Sequence, residues 1–296
     1  MLTLHAGESS LVLAPEIGGA IIGWTLGAIP LLRRSAPDAI ICHDAGGLAC
    51  FPLVPFSNRI ANGRFRWAGR DYSLDRNHGD QLHTIHGIGW QSPWTVASVS
   101  ATSAVLTLTH AATGAQAARW PFAFEAQQRF TLTRDGWHVT LAMTNRHMEP
   151  APAGLGLHPY FPRAHEATLQ FAAREVWTNQ AVPLPAQCIP VRPEWDHTHG
   201  LHVGNAALDN CFTGWDGIAR IAWASGGPAL AIEADGLFRH LIVYTPPDHD
   251  FFCVEPVSHM TDAINRAGSV ADTGLRTLAP GETLQGEIKF RLTTVG

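Results

Sequence analysis

The stretch Gln127-Gln-Arg-Phe-Thr-Leu-Thr-Arg-Asp-Gly-Trp-His-Val-Thr-Leu-Ala-Met-Thr-Asn145 reads as two strands joined by a tight turn. Phe130 and Leu132 fall on one face of the first run, and Val139, Leu141 and Met143 on one face of the second. That period of two is what a half-buried strand requires. Between the runs, Asp135-Gly136 is a pair that readily takes up the positive φ angles of a hairpin turn. Val96 to Thr109 repeats the pattern with Val99, Val105, Leu106 and Leu108. Shorter alternating runs predict strands at Ser10–Leu13, Phe65–Trp67, Thr168–Phe171, Ala219–Trp223, Ala229–Ala234, His240–Thr245, Phe251–Glu255 and Gly286–Thr293. Sustained helical periodicity is almost absent, and the 20 prolines and 28 glycines fall mainly between the strand-like runs. The predicted fold class is all-β, a large antiparallel β-sandwich forming one domain over residues 1–296. The Pro-rich patch from Ala181 to Pro193 reads as a long loop, and Leu278-Ala-Pro-Gly-Glu-Thr-Leu284 as the turn into the last strand.

An apolar share of 46% and a charged share of 15% fit a large packed core. Net charge is −5, and Lys289 is the only lysine among the 20 basic residues. The arginines are scattered and make no basic face, so no nucleic-acid partner is expected. No apolar run is long enough to span a bilayer, since Ile17 to Leu32 is broken by Gly18, Gly19, Gly23, Gly27 and Pro30. The five cysteines form no close-spaced metal pair, and no secretory signal precedes them. A cytoplasmic monomer or homodimer is the expectation.

Polar groups collect in four segments. In Phe51-Pro-Leu-Val-Pro-Phe-Ser-Asn-Arg-Ile-Ala-Asn-Gly63, Asn58 and Arg59 stand in an apolar setting. Arg59 is there either as an ion-pair partner or as a fork for hydroxyl or carboxylate oxygens. Asn77-His-Gly-Asp-Gln-Leu-His-Thr-Ile-His-Gly-Ile-Gly-Trp90 carries His83 and His86, with glycines that permit close approach of a ligand or another chain segment. In Gly154-Leu-Gly-Leu-His-Pro-Tyr-Phe161, His158 is flanked by aromatics, on which the apolar face of a pyranose can lie. In Asp250-Phe-Phe-Cys-Val-Glu-Pro-Val-Ser258, Glu255 ends an apolar strand, where desolvation raises a carboxyl toward the range of a general base. Each of these has a structural reading beside it: a satisfied core histidine, or a buried salt bridge. His197, His199 and His202 have the residue types of a metal site, but lie in a Pro/Gly-rich loop with little acidic support.

Taken in order, these segments resemble the aldose 1-epimerase (galactose mutarotase) family. The resemblance runs from Pro55 to Gly63, through Leu82 to Gly87, Gly156 to Phe161 and Leu208-Asp-Asn-Cys-Phe212, to Val254-Glu-Pro256 and Asp262-Ala-Ile-Asn265. It implies the family's β-sandwich and a cofactor-independent, metal-free isomerase acting on a small sugar. It also implies Glu255 as general base, His158 as general acid, and His86 as the histidine that helps polarise the ring oxygen. Arg59 and Asp209 would hold sugar hydroxyls, with Asn58 as a weaker candidate beside them. The sequence departs from the family after His86, where Gly87 is followed by Ile88, Gly89 and Trp90, and this places Ile88 and Trp90 near the sugar. Three other readings stay open. A hexose-6-phosphate 1-epimerase would need converging basic groups such as Arg33, Arg34 and Arg163. A non-catalytic sugar-binding module would keep the grip without the chemistry. A metal enzyme would use His83 and His86 or the loop histidines.

Overall fold

The strands Phe124–Thr133 and Gly136–Asn145 pair antiparallel from Phe124↔Asn145 to Thr133↔Gly136. The two-residue turn is therefore Arg134-Asp135, one residue earlier than the sequence suggests. Glycine is needed at 136 for a different reason. Its φ is 144°, and a Cβ there would lie 1.9 Å from the Phe290 carbonyl oxygen of the next strand.

The computed structural model describes residues 1–163, 167–204, 206–223 and 228–293. Among them, strands form an 11-stranded and a 9-stranded antiparallel sheet with three two-stranded ribbons. The larger sheet runs Leu2–Ala6, Ser9–Ala14, Ala20–Leu26, Cys50–Leu53, Gly156–Pro162, Phe251–Val257, His240–Tyr244, Asp209–Thr213, Glu175–Asn179 and Pro185–Pro190, with Ile29–Pro30 paired to Ala20–Leu26. The smaller runs Thr95–Val99, Ser103–His110, Phe124–Thr133, Gly136–Asn145, Thr283–Thr293, Ala229–Ala234, Ile218–Ala222, Thr168–Phe171 and Leu201–His202. The strand Pro185–Pro190 corrects the loop expected from Ala181 to Pro193. It is an outer strand with mostly exposed side chains, a place where prolines are tolerated and apolar alternation is not enforced.

The sheets pack face to face. Trp24 of the larger sheet meets Trp137 of the smaller edge-on at 6.1 Å, and Trp137 stacks on Phe290 at 4.1 Å. Period-two alternation decides what each strand of the larger sheet sends into this core. Leu157 and Phe161, Leu241 and Val243, and Phe252 and Val254 point inward. The residues between them, including Tyr160, Ile242 and Cys253, point to the opposite face, where a second apolar cluster containing Phe51, Ile85 and Trp90 covers them. Coverage on both faces explains the nearly unbroken apolar run before Glu255. That strand does not end at Glu255 but continues to Val257, so the carboxylate belongs to the interior of a strand. All five cysteines are free. No helix among the described residues is long and apolar enough to cross a membrane.

Candidate active site

His158 and Glu255 stand on neighbouring antiparallel strands whose register is set by Gly156↔Val257 and Tyr160↔Cys253. That register puts them opposite each other, and both project from the covered outer face. His158 Nε2 lies 3.3 Å from Glu255 Oε1, with side-chain exposures of 8% and 2%. The remaining polar atoms, His158 Nδ1 and Glu255 Oε2, are buried with no protein partner. Unsatisfied buried polar atoms are costly, and both members of this pair carry one. Burial pushes the Glu255 carboxyl well above the usual carboxylate range, with Asp209 adding to the shift and Arg59 opposing it. Burial also pulls the His158 imidazole down to about 3, and the nearby Arg33 and Arg59 cations add to that effect. Both groups are therefore driven toward their neutral forms.

The pair opens into a cavity of about 390 Å³, also lined by Asn58, Arg59, His86 and Asp209. All six site residues expected from the sequence thus meet in one place. His86 sits at φ 62°, and its Nδ1 accepts the Asn58 backbone N–H at 3.1 Å. The neutral ring then carries its proton on Nε2. Gly87 must be glycine, because a Cβ there would lie 2.3 Å from the Val54 carbonyl oxygen. Asn77 fixes this turn: its side chain accepts from Ile85 N–H at 2.9 Å and donates to the Ile85 and Gly87 carbonyls at 2.6 and 3.1 Å. Asn77→Ala would strand these three backbone groups. It is expected to lower stability by about 1–3 kcal/mol, read from the urea midpoint, and to reduce His86-dependent function with it.

Arg59 reaches Asp209 at 3.4 Å, and its Nη1 donates to Asn58 Oδ1 at 3.1 Å. Asn58 thereby orients the guanidinium, and it lines the cavity itself. The backbone of this segment hangs on histidine nitrogens. His259 Nε2 accepts from Ser57 N–H at 3.0 Å, His86 Nδ1 from Asn58, and His83 Nδ1 from Asn62 at 2.9 Å.

A column of rings backs the acid–base pair. Trp90 stacks on Phe51 at 5.3 Å, Phe51 packs on His158 at 4.6 Å, and His158 stacks on Tyr160 at 4.6 Å. Of the two aromatics that follow His158 in the Gly154–Phe161 segment, only Tyr160 lines the cavity; Phe161 falls on the other side of the strand and is buried in the core. Trp90 lines the cavity, whereas Ile88 packs into the core and does not. Phe51 and Tyr244 also line it, and neither was expected there. Phe51 lies in the segment quoted for Asn58, but an aromatic in an apolar strand gives no sign of which face it takes.

The other polar candidates are dispersed. Arg33 lines the cavity, but Arg34 does not, and Arg163 is occupied by the Pro246 and Val203 carbonyls, so the three do not converge. His197 is buried against Phe171 and bonded to the Leu169 carbonyl at 3.0 Å. Among the described residues, the one cluster within metal-ligand reach is His158, Cys253 and Glu255, whose ligand atoms lie within 4.8 Å of one another. Burial and the Glu255 charge push the Cys253 thiol well up, so this ligand would have to surrender a tightly held proton.

The aldose 1-epimerase family model matches residues 1–291. The uncharacterized protein YphB of Escherichia coli K12 is 32% identical over 298 residues, covering 98% of each chain. A crystal structure of an Escherichia coli K12 protein described as a candidate aldose 1-epimerase superposes with TM-score 0.89 at 32% identity, covering 99% of this chain and 98% of that one. A galactose mutarotase-like protein of Clostridium acetobutylicum shares the fold, with TM-score 0.87 at 19% identity and coverage of 99% and 95%. The chain belongs to the aldose 1-epimerase family.

Proposed function

We propose that the protein is a mutarotase, interconverting the α and β anomers of an aldose through its open-chain form. The observation that carries this reading is the buried 3.3 Å contact between His158 Nε2 and Glu255 Oε1 inside a sugar-sized cavity. Glu255 takes the proton from the anomeric hydroxyl as the C1–O5 bond breaks, and His158 gives one to O5. C1 becomes an aldehyde, rotates about C1–C2 and closes from its other face, with the two groups exchanging roles. The proton count balances within the pair, so the reaction as written draws on no cofactor or metal.

The electrostatics suit this cycle. Opening proceeds from the carboxylate–imidazolium tautomer of the pair, which burial makes the minor one, and ends in carboxylic acid and neutral imidazole. Burial favours the second arrangement, the one that accompanies the open chain. His86 donates from Nε2 toward the ring oxygen, while Arg59 and Asp209 hold hydroxyls at the far end and Asn58 keeps Arg59 in place. Because these residues are spread from Asn58 to Glu255 and meet in one cavity, we read residues 1–296 as one functional unit.

Polarimetry on freshly dissolved α-D-glucose, α-D-galactose and α-D-xylose tests the reading. The rotation is expected to relax faster than the spontaneous rate in proportion to enzyme concentration. A protein that binds these sugars without speeding the relaxation would instead be a sugar-binding module.

A further inference from the structure

One cation in the cavity is left over by the reaction above. Arg33 lines the same space as His158 and Glu255. It is held without a carboxylate. Its Nε donates to the Leu48 carbonyl at 3.0 Å, and its Nη2 to the carbonyls of Gly46 and Leu48, both at 2.6 Å. Its guanidinium covers the Tyr160 ring at 3.4 Å from the centroid and lies 4.8 Å from that of Phe251. Backbone carbonyls and aromatic faces fix its position, but none of them neutralises its charge. Among the described residues it makes no ion pair within 4 Å; Asp44, on the cavity rim, accepts the Gly46 N–H through Oδ1, and Asp250 acts on Arg33 only at longer range. A guanidinium carries five N–H groups, and three are engaged here. Among the described residues, the two on Nη1 meet no carbonyl or carboxylate acceptor.

The geometry points to Arg33 as the residue that selects sugars bearing a carboxylate at C6, the hexuronates. This inference rests on the mutarotase reading, which places the ring oxygen at His158. C6 is attached to the carbon next to that oxygen, so its substituent lies on the ring-oxygen side of the sugar. Tyr160 is two residues along the same strand face from His158 and stacks on it, and Arg33 caps Tyr160. The column therefore puts a fixed positive charge just beyond the acid, where a C6 group would reach. The free Nη1, with its two N–H groups, offers a singly charged carboxylate a charge-assisted hydrogen bond. A phosphate dianion would call for a second fixed cation, and Arg34 and Arg163 do not supply one.

The test compares kcat/KM for mutarotation of α-D-galacturonate, α-D-galactose and galactose 6-phosphate at matched ionic strength, with wild type, Arg33→Gln and Arg33→Lys. Wild type is expected to prefer the uronate over the neutral sugar by at least tenfold. Arg33→Gln should cut that ratio at least tenfold, and Arg33→Lys should recover part of it. A wild-type preference for the neutral sugar or the phosphate overturns the inference, as does a ratio unmoved in a folded Arg33→Gln. If that variant does not fold, the wild-type ratios and the lysine variant decide. Acceleration of neutral sugars without a uronate preference sinks this inference and leaves the mutarotase reading standing. No acceleration of any sugar sinks the mutarotase reading itself.

Discussion

Glu255→Gln is expected to lower kcat/KM for mutarotation about 10³-fold, within the range that a positioned acid–base group supplies. Glutamine keeps the volume and one acceptor oxygen but cannot take a proton from the anomeric hydroxyl. His158→Asn should cost a similar factor, and the double variant little more than either single one, because the two groups act as a unit. Stability should move the other way. Glu255 is buried at 2% exposure with Oε2 unpartnered, a costly arrangement, so replacing it by glutamine should leave the urea midpoint unchanged or higher. The combination of lost rate and preserved stability separates a catalytic role from a structural one. A Glu255→Gln enzyme that kept more than a tenth of the wild-type rate would transfer the proton-accepting role to another group.

Acid should unfold the protein at unusually mild pH. Burial holds His259 and His240 down to about 4. A histidine depressed in the folded state stays neutral there, while the unfolded chain takes up a proton below its ordinary value near 6.5. The unfolded state then binds more protons, so stability falls as pH drops from about 6.5 to about 4. At 1.36 kcal/mol per pH unit, each of these two histidines removes roughly 3 kcal/mol over that window. Together that rivals the whole stability of many domains. Glu255, raised in the folded state, acts in the opposite sense, contributing stability at low pH that is lost as pH rises toward its folded value. The histidines outnumber it, and their protonation also has a local effect: a charged His259 or His86 ring would turn a donor toward the Ser57 or Asn58 N–H that it now accepts from. The segment carrying Arg59 should loosen first. Urea midpoints followed by tryptophan fluorescence at pH 7.5 and pH 4.5 check this. Equal midpoints would show that the depressed histidines do not govern stability.

The β-sandwich was legible because alternation is enforced wherever one side of a strand meets the core, as in Phe124–Thr133 and Gly136–Asn145. Pro185–Pro190 was not, since an outer strand with exposed side chains carries no such pattern. Thr168–Phe171 and Ala229–Ala234 fall where the sequence puts them. The site residues were readable as polar groups set in apolar surroundings, but their meeting in one cavity was not. It depends on which strands become neighbours, and residues 158 and 255 are joined only by pairing across the sheet. The same limit explains Phe161 and Ile88, which sit within three residues of His158 and His86 yet face the core. Arg33 illustrates the converse: its doublet with Arg34 suggested a shared phosphate grip, whereas the loop after Ile29–Pro30 sends only Arg33 of the pair to the cavity.

A ribosome delivers the strand Thr283–Thr293 after both of its partners, Gly136–Asn145 and Ala229–Ala234, which flank it in the smaller sheet. Until it emerges, each partner keeps a row of backbone donors and acceptors unclaimed, open to pairing with another nascent chain. Joining them then requires contacts between residues far apart in the chain, which form slowly. Yield of soluble protein in a cell should accordingly respond to translation rate and to holdase chaperones more than to the thermal stability of the finished molecule.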